Sequence, residues 1–186
     1  MKIAITGHKH GIGKAFAEQL SARGHNIVGI SRSDGENIRR VPHTALLIEP
    51  CDLFINNAQS QFAQTELLYE VWERWNKQDQ KKWIWNIGTQ MSQSVTNDTV
   101  PGYTDVAMSL YRTQKKALEE ATQQLQYKGK WPKISMIRPG AVNTQSYSNG
   151  SDVNEWVQSV IGMFTQHNNM HIQELSIGHV DKRIPV

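Results

Sequence analysis

Cysteine is nearly absent. Cys51 stands alone among 186 residues, which excludes an internal disulfide and fits a reducing compartment. It reads as a small apolar residue at the start of a strand. Long apolar runs are missing too. Nothing approaches the ~20 residues of a bilayer-spanning helix, so no membrane partner is expected. The opening MKIAITGHKH has too short an apolar stretch for a secretory core and reads as the first strand of a cytoplasmic protein. No Pro/Gly/Ser linker, repeat or low-complexity segment divides the chain, and its length suits one domain, residues 1–186. Neither sign of charge dominates, with 20 Lys and Arg against 17 Asp and Glu. The basic residues are scattered among acids, which argues against nucleic acid, while the mild positive excess suits a small phosphate-bearing ligand. His167, His171 and His179 lack ligand spacing with acids, and no metal is expected.

What is present is an alternation of strand-like and helix-like segments, the pattern of an α/β fold with a mostly parallel sheet. Lys2–Thr6, Asn26–Ile30, 52–55 (DLFI), Trp83–Ile87 (WIWNI), 133–137 (KISMI) and 172–177 read as strands. Apolar spacing predicts helices over 14–23, 65–77, 105–127 and 153–164, with Gly24 closing the first. Between Ser31 and Asp52 there is too little chain for a full helix–strand–helix unit. A minimal strand near Asn37 and Ile38, then a short helix or turn after Pro42, is expected there. The chain is thus expected to form a Rossmann-type three-layer sandwich of six or seven strands, shortened between strands 2 and 4. Trp72 and Trp75, three apart on a helix, point to burial against the sheet or at a subunit interface. Trp83 and Trp85 read as packing residues.

The first strand runs into Thr6-Gly7-His8-Lys9-His10-Gly11-Ile12-Gly13, and a helix follows. Gly7 permits a sharp turn, Gly11 lets backbone approach a pyrophosphate, and Gly13 allows the helix to pack closely on the sheet. The helix N-terminus then offers free N–H groups to phosphates. The end of the second strand selects the cofactor. An acid there binds the adenosine ribose of NAD(H). Ser31-Arg32-Ser33 instead offers a guanidinium fork and two hydroxyls for a 2′-phosphate, with Lys9 and His10 adding charge nearby. NADP(H) is therefore favoured over NAD(H), with Asp34 as the opposing signal.

Tyr111 and Lys115 lie in the long predicted helix at i, i+4 spacing, one turn apart on one face. A nearby ammonium favours the phenolate and makes the phenol usable as a general acid or base.

Taken together, Thr6 to Gly13, Asn56-Asn57-Ala58, Asn86-Ile87-Gly88-Thr89, Tyr111 to Lys115 and Arg138-Pro139-Gly140-Ala141-Val142-Asn143-Thr144 occur in an order that resembles the short-chain dehydrogenase/reductase family. The resemblance runs from the first strand to about Thr144. It implies hydride transfer between a nicotinamide and a carbonyl or alcohol, with Tyr111 as proton donor and Lys115 holding the nicotinamide ribose and tuning Tyr111. It further implies that Gly7, His8, Lys9, His10, Gly11, Ile12 and Gly13 line the cofactor. So would Ser31, Arg32, Asn57, Ala58, Pro139, Gly140, Val142 and Thr144, with Asn56 steadying the central sheet. Family members commonly pair through the helices after the fourth and fifth strands. A homodimer or homotetramer is thus implied, with the Trp-rich helix as a candidate face.

The sequence also departs from that family. Thr89 stands where a serine usually binds the substrate oxygen. The stretch from Thr89 to Tyr111 is long, so that Ser92 or Ser94 are alternatives. Gln59 replaces a glycine. The family's asparagine on the following helix has no clear counterpart, and Gln61 and Gln64 fall in its region. The substrate-capping segment, about 145–165, is short, which suggests an open pocket or one completed by a neighbouring subunit. These departures keep a second function in view, a non-catalytic dinucleotide-binding sensor or scaffold on the same fold.

Overall fold

The computed structural model describes residues 1–78, 81–93, 104–144, 149–166 and 170–178. Among them the chain forms the strands β1 (Lys2–Thr6), β2 (Asn26–Ile30), β3 (Leu53–Asn56), β4 (Trp83–Ile87), β5 (Lys133–Pro139) and β6 (Glu174–Ile177). The helices are α1 (Gly11–Ala22), α2 (Val41–Ile48), α3 (Ala63–Gln78), α4 (Asp105–Gln126) and α5 (Val153–Thr165). The strands join one parallel sheet in the order β2-β1-β3-β4-β5-β6. Register is pinned by pairs such as Ile3 with Leu53, Phe54 with Ile84, and Ile87 with Ile137.

Because side chains alternate along a strand, each strand feeds two cores. Ile3, Ile5, Ile55, Trp85, Ile87 and Ile137 meet Phe16 and Leu20 of α1 and Trp156 and Val160 of α5. Ala4, Phe54, Ile84 and Ile134 meet α2, α3 and α4 through Ala45, Ile48, Leu67, Trp75 and Leu118. Strands covered on both faces become nearly continuous apolar runs, as LFIN and WIWNI are. This is a Rossmann-type three-layer arrangement.

One expectation changes on contact with the structure. No strand forms at Asn37 and Ile38. After β2 the chain makes a 3-10 turn, Arg32–Asp34, that ends at Gly35 with φ +83°. It then turns again, with the Arg40 N–H donating to the Asn37 carbonyl at 2.8 Å, straight into α2. Ile38 reaches the core without a strand. Pro42 lies in the first turn of α2, where its missing N–H costs no hydrogen bond. α5 falls within the segment expected to cap the substrate, about 145–165, and packs inward. Trp156, Val157, Val160 and Ile161 of α5 are buried against α1 and the sheet, and 145–148 lie outside the described residues. Of the two burials open to Trp75, the structure has the one against the sheet: it is fully buried in the core and its indole N–H donates to the Glu49 carbonyl at 3.2 Å. Trp72 packs against the same core. Gly24 behaves as expected. At φ +82° it ends α1, its N–H and that of His25 donating to the Ser21 and Leu20 carbonyls.

Candidate active site at the carboxyl ends of the strands

The direction of winding reverses between β1 and β3, since β2 lies on one side of β1 and every later strand on the other. A crevice opens at such a point, beyond the carboxyl ends of the strands. The glycine turn fills one wall of it. Gly7 has φ +72° and Gly11 φ +50°, conformations that suit glycine. Gly13 is required for a different reason: a Cβ there would lie 2.3 Å from the Gly7 carbonyl oxygen. The turn is tied to the segment after β3. Thr6 Oγ1 accepts from the N–H groups of Asn57 (2.9 Å) and Ala58 (3.0 Å), and Asn57 Nδ2 donates to the Thr6 carbonyl at 3.0 Å. His10, the residue before α1, makes no side-chain cap, and the first N–H groups of a helix have no acceptor within it. Ile12 packs into the core below. Across the crevice, the Thr144 methyl would be 3.3 Å from a Cβ at Gly11. The segment after β5 therefore closes over the turn. The Gly140 N–H donates to the Ile177 carbonyl at 2.9 Å, and Val142, buried, bridges to Ser151. A narrow, glycine-lined wall of backbone N–H groups fits a pyrophosphate.

At the end of β2, Ser31 Oγ and Ser33 Oγ lie 3.0 Å apart and Arg32 is exposed. Of Lys9 and His10, expected to add charge near the phosphates, Lys9 is turned toward Asp34. Lys9 Nζ lies 3.1 Å from one Asp34 carboxylate oxygen, and His8 Nε2 3.3 Å from the other. The His8 ring lies over Gly29, where any Cβ would be 2.4 Å from it. Arg39, which sequence reasoning missed, donates from Nε to Ser60 Oγ at 2.8 Å. It stands in the shortened stretch, where the lost strand would have been.

Under α3 and α4, the ends of β3 and β4 carry a buried polar chain. Asn56 Nδ2 donates to Asn86 Oδ1 at 3.0 Å, and Asn86 Nδ2 to Thr122 Oγ1 at 2.8 Å. The two asparagines face each other because they pair in register. Gln64, in the first turn of α3, donates to the carbonyls of Asn56 (2.7 Å) and Ile87 (3.2 Å). Gln61, the other glutamine of that region, is exposed with φ 54°. Lys115 Nζ joins the chain, donating to Gln64 Oε1 and to the Ile87 carbonyl, both at 2.9 Å. The same Nζ lies 5.9 Å from the centroid of the half-buried Tyr111 ring. Burial pushes the Lys115 ammonium down to about 7, against the opposing charge of Glu119 one turn along α4. Gln59, where a glycine was expected, donates to Gln114 on α4.

Thr89 caps a 3-10 turn, Gln90–Ser92, and its Oγ1 accepts from the Met91 N–H at 3.3 Å. The Ser92 hydroxyl, with one proton to give, lies between two acceptors, the Thr89 carbonyl at 2.6 Å and the Glu119 carboxylate, and shares it between them. Ser94 lies outside the described residues. Glu119 and Arg138 form a buried ion pair at 2.8 Å, and Pro139 ends β5 just beyond. Neither Glu119 nor Arg138 was singled out from the sequence for this role. The signal was there in part, since Tyr111, Lys115 and Glu119 repeat at four-residue spacing.

No family model matches the chain, and no curated protein matches it in sequence. Solved structures do match it in shape. An alcohol dehydrogenase from the archaeon Thermococcus sibiricus, complexed with 5-hydroxy-NADP, shares 16% identity at a TM-score of 0.75, covering 100% of this chain and 99% of that one. A short-chain dehydrogenase from Burkholderia cenocepacia J2315, in complex with NADP, shares 17% at 0.73, covering 95% and 87%. The 3-alpha-hydroxysteroid dehydrogenase of Pseudomonas sp. B-0831, complexed with NADH, shares 19% at 0.72, covering 96% and 95%. The chain has the fold of these dehydrogenases.

Proposed function

We propose that this chain is an NADP(H)-dependent oxidoreductase of the short-chain dehydrogenase/reductase type, acting on a carbonyl or alcohol of a small molecule. The observation that carries this reading is the Lys115 ammonium, buried at the carboxyl end of β4 with the Tyr111 ring centroid 5.9 Å away, at the same end of the parallel sheet as the glycine turn that follows β1. The fold neighbours that bind NADP or NADH support it.

When bound, a nicotinamide dinucleotide supplies or accepts the hydride. The chain's own residues do the rest. The backbone of Gly7 to Gly13 receives the pyrophosphate at the α1 N-terminus, and Asn57, Ala58, Pro139, Gly140, Val142 and Thr144 line the crevice. Ser31, Arg32 and Ser33, with Arg39 beyond them, receive the 2′-phosphate, which is the basis for NADP(H) over NAD(H). Because Thr89 Oγ1 already accepts from the Met91 N–H, its own proton is left to donate to the substrate oxygen. Tyr111 gives a proton to that oxygen in reduction and takes it back in oxidation. An ammonium has three N–H donors. Gln64 and Ile87 take two from Lys115, and the third serves the ribose hydroxyls or the phenol oxygen.

The test is turnover of NADPH with a panel of aldehydes and ketones, beside NADPH binding by fluorescence. Tyr111→Phe is expected to bind NADPH within about twofold of wild type and to lose at least about a hundredfold in kcat. A wild-type chain that binds NADPH tightly yet reduces no member of the panel would overturn the reading.

A further inference from the structure

Glu119 is 2% exposed and Arg138 3%. Oε1 of Glu119 accepts from Arg138 Nε at 2.8 Å and from the Ser92 hydroxyl, and Oε2 faces Lys116 Nζ at 3.4 Å. Arg138 also donates from Nη1 to Glu174 on β6 at 2.9 Å. One carboxylate thus joins α4, β5 and the turn that Thr89 caps. Stability alone is a weak reason for such a group, because a buried ion pair is commonly replaceable by apolar residues at no loss. Its position says more. It follows Lys115 by one turn on the same helix face, and the groups that meet Lys115 from other elements, Gln64 on α3 and the Ile87 carbonyl on β4, carry no charge.

We propose that Glu119 is a positioning residue of the candidate site, holding through Ser92 the turn that presents Thr89 and supplying the negative charge that faces Lys115. The inference rests on the function proposed above. Among the described residues, Glu119 is the charge that opposes burial, which otherwise drives this lysine toward its neutral form. Arg138, Lys116 and, through Arg138, Glu174 are the charged groups that face Glu119 in turn.

The experiment is a carbon-13 NMR titration of the lysine Cε resonances in the full chain, with Lys115 assigned by its loss in Lys115→Met. Glu119→Gln keeps the hydrogen-bonding shape and removes the charge. The Lys115 midpoint should fall by on the order of one pH unit. Glu119→Ala also removes the Ser92 acceptor that ties its turn to α4, leaving only the Thr89 carbonyl within the turn, and amide exchange at Met91 and Gln93 should quicken about tenfold. Should these variants fail to fold, Glu119→Gln/Arg138→Met strands no buried charge. Its midpoint must then lie below that of Arg138→Met alone. An unmoved midpoint in a folded variant, or unchanged exchange in Glu119→Ala, overturns the inference whatever the turnover. A midpoint that falls in a protein that binds NADPH but reduces no carbonyl overturns the proposed function and leaves the coupling of Glu119 to Lys115 standing.

Discussion

Replacing Lys115 with methionine should change the pH dependence of folding stability. The ammonium is buried, and its value drops from the usual 10.5 to about 7. At about 1.4 kcal/mol per pH unit, keeping Lys115 protonated costs the fold about 5 kcal/mol. The sign follows from proton counting. Between about 7 and 10.5 the unfolded chain holds this proton and the folded chain has lost it. Stability therefore rises with pH across that window, and the cost is fully present below it. Methionine of similar length carries no such cost. It does leave Gln64 Oε1 without this donor and the Ile87 carbonyl with Gln64 Nε2 alone, a loss of about 1–3 kcal/mol that is the same at every pH. Other titrating groups act alike in both proteins, so the difference isolates Lys115. Urea unfolding followed by tryptophan fluorescence, at pH 6, 7, 8 and 9, gives the two stability curves. From pH 6 to pH 9 the wild type should gain about 2–3 kcal/mol relative to Lys115→Met. Parallel curves would refute the reasoning, because they would mean that Lys115 reaches solvent or keeps its charge in the fold.

Two further substitutions probe the ends of the crevice. Gly13→Ala forces a Cβ to within 2.3 Å of the Gly7 carbonyl oxygen. It should cost about 3 kcal/mol in urea unfolding and weaken NADPH binding. A loss below about 0.5 kcal/mol would show that α1 can slide away from the turn. Asp34→Asn releases Lys9 and His8 and removes a carboxylate near the expected 2′-phosphate. NADPH should bind about tenfold tighter, with NADH little changed, in a side-by-side titration. An equal change for both nucleotides would place the 2′-phosphate elsewhere.

Local patterns carried much of this structure into the sequence. The strands at Lys2–Thr6, Asn26–Ile30 and Trp83–Ile87 form where alternation and apolar runs place them, and α4 starts at Asp105 as its spacing predicts. The glycine turn was legible because backbone conformation and close contact at Gly7, Gly11 and Gly13 admit little else. These are short-range constraints, set by residues adjacent in the chain or one helical turn apart.

Residues far apart in the chain decided the rest. Asn37 and Ile38 make no strand although, among the described residues, the edge of the sheet beside β2 is free, because the chain turns into α2 first. Asp34 looked like a rival cofactor ligand, and only the return of the glycine turn against it shows that it holds Lys9 and His8. The Tyr111 and Lys115 spacing said that the two share a helix face. That Lys115 is buried, with Gln64 and Ile87 as its partners, depends on β4 and α3 arriving beneath it. Glu119 and Arg138 pair across α4 and β5 for the same reason. Helical spacing determines which side chains point together. Only packing determines what they meet and how much water is left around them, and that sets the charge of Lys115.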